Sequence, residues 1–270
     1  MSQKLWEANL SVKKKSNLFK FEKFLSKKFS YKVSKNYNKL FSWSIKNLNL
    51  FWSSIWEYTN VKGKKIEKFI FTKEFIKNKF FVNSKLNFAE NLISKKDNSK
   101  AITFISETGY REVRSWKELY FNTSKLINFL RQNRILEKDR IAAYTANQIE
   151  TVECFLASSA IGAIWSSCSP DFGTLGLVER FSQIKPKILI ITDRYYYNGK
   201  EINILERLPY ILKKIKSIKT VLIVNYPGKK YLKYRKIKGI KIFNLNQIKK
   251  IKGSEIKFKK FDFDHELAIL

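Results

Sequence analysis

Two short stretches hold residues whose types and spacing could do chemistry. In SSCSPDFGT (Ser166–Thr174) the thiol of Cys168 stands among Ser166, Ser167 and Ser169, with Asp171 three positions on. In YYYNGK (Tyr195–Lys200) three aromatic rings precede an Asn-Gly pair and an ammonium group. The first stretch could present a nucleophile, but a thiol or hydroxyl needs an adjacent base. The only histidine is His265, near the end of the sequence among Asp262, Asp264 and Glu266, in what reads as a polar turn. Pro170 and Gly173 fit a bend better, with Thr174 capping the next helix and Asp171 as a ligand contact in the alternative. The second stretch could stack on a base and pair with a phosphate. Equally, Asn198 and Gly199 could simply supply left-handed turn conformations. The residues leave these two readings open.

Several motifs are absent. The sequence has no G-x-x-x-x-G-K-[ST] phosphate loop, no G-x-G-x-x-G fingerprint and no G-x-S-x-G elbow. No metal-ligand spacing surrounds Cys154 or Cys168, which read as small buried thiols in a reducing compartment. No catalytic residue and no metal ligand is therefore assigned within the chain.

The elements that must position these stretches follow from periodicity. From about Ala101 the apolar runs RIAAYT, AIWSSC, KILIIT and TVLIV alternate with amphipathic helices expected near 148–161, 174–184 and 201–216. AITFIS and REVRS are short strands around the turn ETGY, and Ser115 with Glu118 forms a capping box that opens another helix. Such alternation predicts an α/β fold, a mostly parallel sheet flanked by helices. In such sheets ligands bind beyond the carboxyl ends of the strands, where both stretches fall. Residues 1–95 form a separate aromatic and basic segment, in which Phe51, Ile55 and Tyr58 recur at helical spacing with Trp52 and Trp56 alongside. A tryptophan-rich stripe of this kind packs on a neighbouring domain or lies on a membrane surface.

The formal net charge of +31 invites a nucleic-acid reading, yet only nine of the 54 basic residues are arginine. Lys, Asn, Ile, Phe and Tyr all abound, as an AT-rich coding sequence would give. Phosphate and base recognition favours the planar fork of Arg, so a solvated lysine surface is the stronger reading and a specific nucleic acid is not expected. The first residues lack an apolar signal core, and no apolar run reaches membrane-spanning length, which reads as cytoplasmic.

Taken together, LWEAN, YNKLFSWSIKNLNLFWSSIWEY, SKLNFAENLI and the block DRIAAYTANQIETVECFLASSAIGAIWSSCSPDFGT with RFSQIKPKILIITDRYYYNGK resemble the adenylate-forming acyl-CoA synthetases. Within that superfamily the S-S-C-S-P-D-F-G and Y-N-G-K strings resemble the acetoacetyl-CoA synthetases. The resemblance implies that 96–270 is part of an AMP-binding domain. It implies a ligase that makes acetoacetyl-CoA, AMP and pyrophosphate from acetoacetate, ATP and CoA through an acyl-adenylate, with Mg²⁺ neutralising the phosphates. Acetate and propionate remain alternative acyl substrates, and a non-catalytic basic module for RNA or membrane surfaces is a third reading. In related acetyl-CoA synthetases an Arg-Gly-Gly-Arg-like loop contacts the nucleotide end of CoA. By that resemblance Tyr197, Asn198, Gly199 and Lys200 are the cofactor-binding candidates, with Gly199 and Lys200 the closest matches. The family continues from a segment similar to FDFDHELAIL into a Ser/Thr/Gly-rich phosphate loop, which this sequence lacks. The chain is thus expected to be an N-terminal fragment, inactive alone, that a C-terminal piece would complement.

Overall fold

The computed structural model describes residues 5–34 and 36–270, which divide into two compact units, 1–84 and 85–270. The division falls after Ser84, so the SKLNFAENLI helix lies in the second unit.

The first unit is built from four helices: α1 (Leu10–Lys15), α2 (Asn17–Lys28), α3 (Tyr37–Lys46) and α4 (Leu48–Tyr58), followed by the two-residue strand β1 (Gly63–Lys64). Ser16 caps α2 by accepting the Phe19 N–H at 3.2 Å. Phe21 and Leu25 of α2 form a small core with Tyr31 and Leu40, against which Phe51, Ile55 and Tyr58 of α4 pack as their spacing predicts. The tryptophans on the adjoining stripe have partners within the same unit: Trp52 meets Phe80 at 5.7 Å and Trp56 meets Phe81 at 4.9 Å between ring centroids.

The second unit opens with β2 (Lys85–Leu86) and α5 (Phe88–Leu92), then the hairpin of β3 (Lys100–Ile105) and β4 (Arg111–Ser115). Helix α6 (Trp116–Gln132) starts at the predicted capping box, in which Ser115 Oγ accepts from Glu118 N–H and Glu118 Oε2 accepts from Ser115 N–H. Strands β5 (Arg140–Tyr144), β6 (Ile164–Cys168) and β7 (Ile188–Thr192) alternate with α7 (Ile149–Ala160) and α8 (Thr174–Ile184). After the hairpin of β8 (Arg194–Tyr197) and β9 (Lys200–Asn203) come α9 (Leu208–Lys214), β10 (Thr220–Val224), β11 (Lys241–Asn244) and α10 (Leu245–Lys249).

Five of these strands form one parallel sheet in the order β11-β10-β7-β5-β6. Alternate side chains serve opposite faces. Ile141, Ile190 and Leu222 join the core beneath α6 and α7, whereas Ala142, Leu189 and Val221 join that beneath α8 and α9. Both faces are therefore covered, as a parallel sheet requires. The fold is α/β with a parallel sheet flanked by helices, as the alternation predicts.

One detail differs from the sequence reading. The helix expected over 201–216 is confined to 208–214, because residues 200–203 pair back on 194–197 and Pro209 sits in the first turn of α9. At the end of the sequence, Leu267–Ile269 lie alongside the free edge of β6: Trp165 N–H donates to Leu267 O and Ile269 N–H to Trp165 O. The apolar LAIL run thus extends the sheet beyond β6 and is itself its outer edge, with Ile269 and Leu270 exposed. Just before it, β12 (Phe261–Asp262) pairs antiparallel with β2.

Candidate functional site

The chain leaves β5 for β6 over one face of the sheet, through α7, and leaves β6 for β7 over the other, through α8. Strand order therefore reverses between β5 and β7, and the crevice at their carboxyl ends is where this architecture places ligands. Four segments meet there: 145–148 after β5, 169–173 after β6, the β8–β9 hairpin after β7, and 225–232 after β10.

The 169–173 loop is held from behind. Tyr144, fully buried at the end of β5, donates its hydroxyl toward Phe172 O (2.8 Å) and Pro170 O (3.1 Å). Arg207 Nη1 donates to the same two carbonyls at 3.2 and 3.1 Å and to the Tyr144 oxygen. Ser169 Oγ donates to Asp171 Oδ2 at 2.7 Å, and Asp171 is also a hydrogen-bond partner of Tyr195. The loop is a built turn, and its thiol is inert: Cys168 is buried, and burial pushes its pKa up. His265 cannot serve it as a base. Its Nε2 lies 3.0 Å from the Gly162 carbonyl oxygen at the amino end of β6, roughly 13 Å of strand away from Cys168.

The YYYNGK stretch is a β-hairpin, with Arg194 to Tyr197 opposite Asn203 to Lys200. Asn198 (φ 50°) and Gly199 (φ 73°) form its tip, the two positive φ angles that a type I′ turn demands. The turn reading is thus realised. The three tyrosines do not form one stack. Tyr195 is directed to Asp171. Tyr196 packs 5.1 Å from the Tyr226 ring, with Lys229 Nζ 5.2 Å from its centroid and its hydroxyl on Glu201. That hydroxyl, with help from Arg194, holds the Glu201 carboxyl below the usual range. Tyr197 is 63% exposed and is the direct cross-strand partner of Lys200. An aromatic face and an ammonium group are therefore adjacent at the exposed tip, and Lys200 makes no ion pair among the described residues. The Gly199 N–H donates to Glu107 Oε1 at 3.1 Å, which ties the tip to the turn between β3 and β4.

Two anchors were not legible in the sequence. Asp193, fully buried after β7, accepts the N–H groups of Tyr226 (2.8 Å) and Leu232 (3.2 Å) and so fixes the loop after β10. Arg194 is buried to 9% side-chain exposure and bridges Asp193, Glu201 and the Lys230 carbonyl. The available signal was scarcity: in a chain that uses lysine for most of its cations, Arg194 and Arg207 are where a fork of donors is needed.

A second charged cluster lies between α6 and α7. Arg114 faces Glu112 (3.1 Å), Glu150 (3.4 Å) and Glu153, whose Oε1 is 2.9 Å from Arg114 Nε and accepts from Asn122 Nδ2 at 2.9 Å. One cation meets three carboxylates, and burial raises Glu153 to about 7. Among the described residues no group of His, Cys, Asp or Glu side chains could hold a metal ion, and no helix is long and apolar enough to cross a membrane.

Comparison with known proteins extends this picture. The chain is 32% identical to an acetoacetyl-CoA synthetase of Gallus gallus, with all of this chain and 41% of that protein covered. It is also 32% identical to an acetoacetyl-coenzyme A synthetase of Rhizobium meliloti, covering 98% and 40%. A malonamoyl-CoA synthetase of Penicillium aethiopicum is 28% identical over 79% of the chain. The chain thus spans about two-fifths of the length of the first two relatives. Its fold matches the solved structure of an acetoacetyl-CoA synthetase from Streptomyces lividans with a TM-score of 0.88 at 24% identity, over all of this chain and 41% of that one. The family model for AMP-binding enzymes matches residues 90–244, more than half of the chain, and the chain belongs to that family.

Proposed function

We propose that the chain is part of an acid–thiol ligase that joins acetoacetate to CoA, with ATP cleaved to AMP and pyrophosphate through an acyl-adenylate. The observation that carries this reading is the likeness along the whole chain to acetoacetyl-CoA synthetases. ATP, CoA and acetoacetate are then its small-molecule partners, Mg²⁺ supplies charge neutralisation at the phosphates, and the reaction is cytoplasmic. No residue of this chain is assigned to the adenylation step. The relatives are more than twice as long, and in this reading the phosphate-binding loop comes from a complementing C-terminal segment.

The hairpin tip is the part of this chain that meets a ligand. Tyr197, Asn198, Gly199 and Lys200 contact the nucleotide end of CoA, with the exposed Lys200 ammonium on a phosphate and the Tyr197 ring beside the base. Exposure and adjacency across the hairpin support this assignment. Gly199 contributes backbone shape more than a donor, since its N–H is engaged by Glu107.

Titration calorimetry with CoA tests the site. Lys200→Ala should weaken binding about tenfold, the worth of one charge-assisted contact, while Lys200→Arg retains it. An unchanged Kd would make the hairpin structural only. Acetoacetate-dependent ATP–pyrophosphate exchange tests the division of labour. It should be absent for the chain alone and appear when the remaining segment of the Streptomyces lividans enzyme is added. Exchange by the chain alone, or a preference for acetate, would overturn the reading.

A further inference from the structure

At the amino ends of the parallel strands, opposite the hairpin and loops described above, backbone hydrogen bonds string cationic residues into a row. Lys187 N–H donates to Arg140 O (3.0 Å), Lys219 N–H to Lys187 O (3.1 Å) and Lys241 N–H to Lys219 O (3.0 Å). With strands about 4.8 Å apart, the row spans roughly 14 Å. Its first two members are engaged, Arg140 on the carbonyls of Ile184 and Lys138, and Lys187 on Asp139 at 2.7 Å. Lys219 and Lys241 are exposed and make no ion pair among the described residues.

These two lysines open onto a pair of adjoining cavities of about 340 and 460 Å³, which share Lys219 and Gly239. Lys213, Lys216, Lys238 and Arg134 line the same cavities, and all four are likewise exposed and unpaired among the described residues. No carboxylate lines either cavity. Six uncompensated cations therefore share one groove, where each raises the local potential felt by the others.

We infer that this groove binds the phosphate backbone of single-stranded nucleic acid. Six free cations spread along one groove suit a polymer of repeating phosphates better than one isolated anion. The groove has depth, and its Leu212, Ile218, Ile237 and Ile240 side chains are buried or half-buried. None of these apolar side chains is exposed enough to project into a bilayer, so a membrane would be held by charge alone and a polymer of phosphates is the better occupant. No aromatic ring lines it, so bases are not stacked. Lysine point charges on phosphates position a strand without reading its sequence. Binding is therefore sequence-independent and steeply salt-dependent.

The test is fluorescence anisotropy of the full 270-residue chain with a labelled RNA of about 20 nucleotides, titrated between about 50 and 200 mM salt. Six contacts predict a slope of log K against log salt near −4, from about 0.7 per phosphate on a single strand. The combined variant Lys216→Gln, Lys219→Gln, Lys241→Gln should reduce that slope by about 2 and weaken binding at least about tenfold. The matching triple Lys→Arg variant should restore both. A control with Lys13, Lys14 and Lys15 changed to Gln should leave both unchanged. The proposal fails if the control variant weakens binding as much as the groove variant, because the attraction is then diffuse. It also fails if the groove variant binds RNA like the parent chain. Tighter binding to anionic phosphatidylglycerol vesicles, lost in the groove variant while RNA binding persists, would assign the groove to membranes and overturn it too.

Discussion

Glu153 is a carboxyl whose ionisation the fold disfavours. It is buried in α7, and Arg114, its one cation, is shared with Glu112 and Glu150. Burial outweighs that attraction and lifts its pKa from 4.5 to about 7. The folded state therefore holds a proton that the unfolded chain releases, and its contribution is fully present below pH 4.5. It is lost as pH rises toward 7, a change of about 3 kcal/mol in order of magnitude. Glu153→Gln keeps an oxygen for Asn122 and removes the titration. Melting temperature measured from pH 5 to 8 should fall less steeply for the variant than for the parent chain. Identical slopes would mean that Glu153 stays ionised in the fold. None of this was legible in TVECF, where Glu153 reads as an ordinary polar position on a helix. Its burial arises only when α6 and α7 pack together.

At the scale of elements, the sheet was legible because its strands are buried on both faces and read as continuous apolar runs. RIAAYT, AIWSSC, KILIIT and TVLIV each became a strand within one residue of the run's limits. Strand β11 was hidden because it is a four-residue edge in lysine-rich text, half-buried at most. The hairpin was hidden for a different reason. Its Asn-Gly turn was recognised, but Lys200–Asn203 has no apolar alternation strong enough to oppose a helical reading. The Ser166–Thr174 stretch was legible as a turn, yet its support was not, since Tyr144 and Arg207 lie 26 and 35 or more residues away in sequence. Arg207→Ala should therefore leave the Pro170 and Phe172 carbonyls to the Tyr144 hydroxyl alone and cost about 1.5–3 kcal/mol, the range for a hydrogen-bonded charge. Amide exchange at Phe172 and Gly173 should quicken while that in β5 stays protected. Arg207→Lys should not rescue it, because a point charge cannot reproduce the fork. Unaltered exchange in the loop would show that Tyr144 alone suffices.

For the whole molecule the dominant physical fact is charge: 54 basic against 23 acidic residues. Ion pairs offset little of it. Lys259–Glu137, Lys77–Glu74 and Lys85–Asp262 have side chains between 36 and 67% exposed, the class of pair whose median worth is about 0–1 kcal/mol. Mutual repulsion among the surplus cations acts on the compact state and relaxes when the chain expands. The two effects respond to salt with opposite signs. If repulsion wins, screening stabilises the fold; if ion pairs win, it destabilises. The surplus of 31 positive charges decides for repulsion, since each pair removes one cation and most cations have no acid to meet. Scanning calorimetry at pH 7 should show the melting temperature rising by several degrees as NaCl increases from about 10 to 150 mM, where the Debye length falls from about 30 to 8 Å. Sodium sulfate at equal ionic strength separates screening from binding. A larger rise with sulfate, removed by the groove variant at Lys216, Lys219 and Lys241, would locate part of the effect at the amino edge of the sheet. A melting temperature that falls with NaCl would mean that the exposed ion pairs, not the surplus charge, govern the electrostatics of this fold.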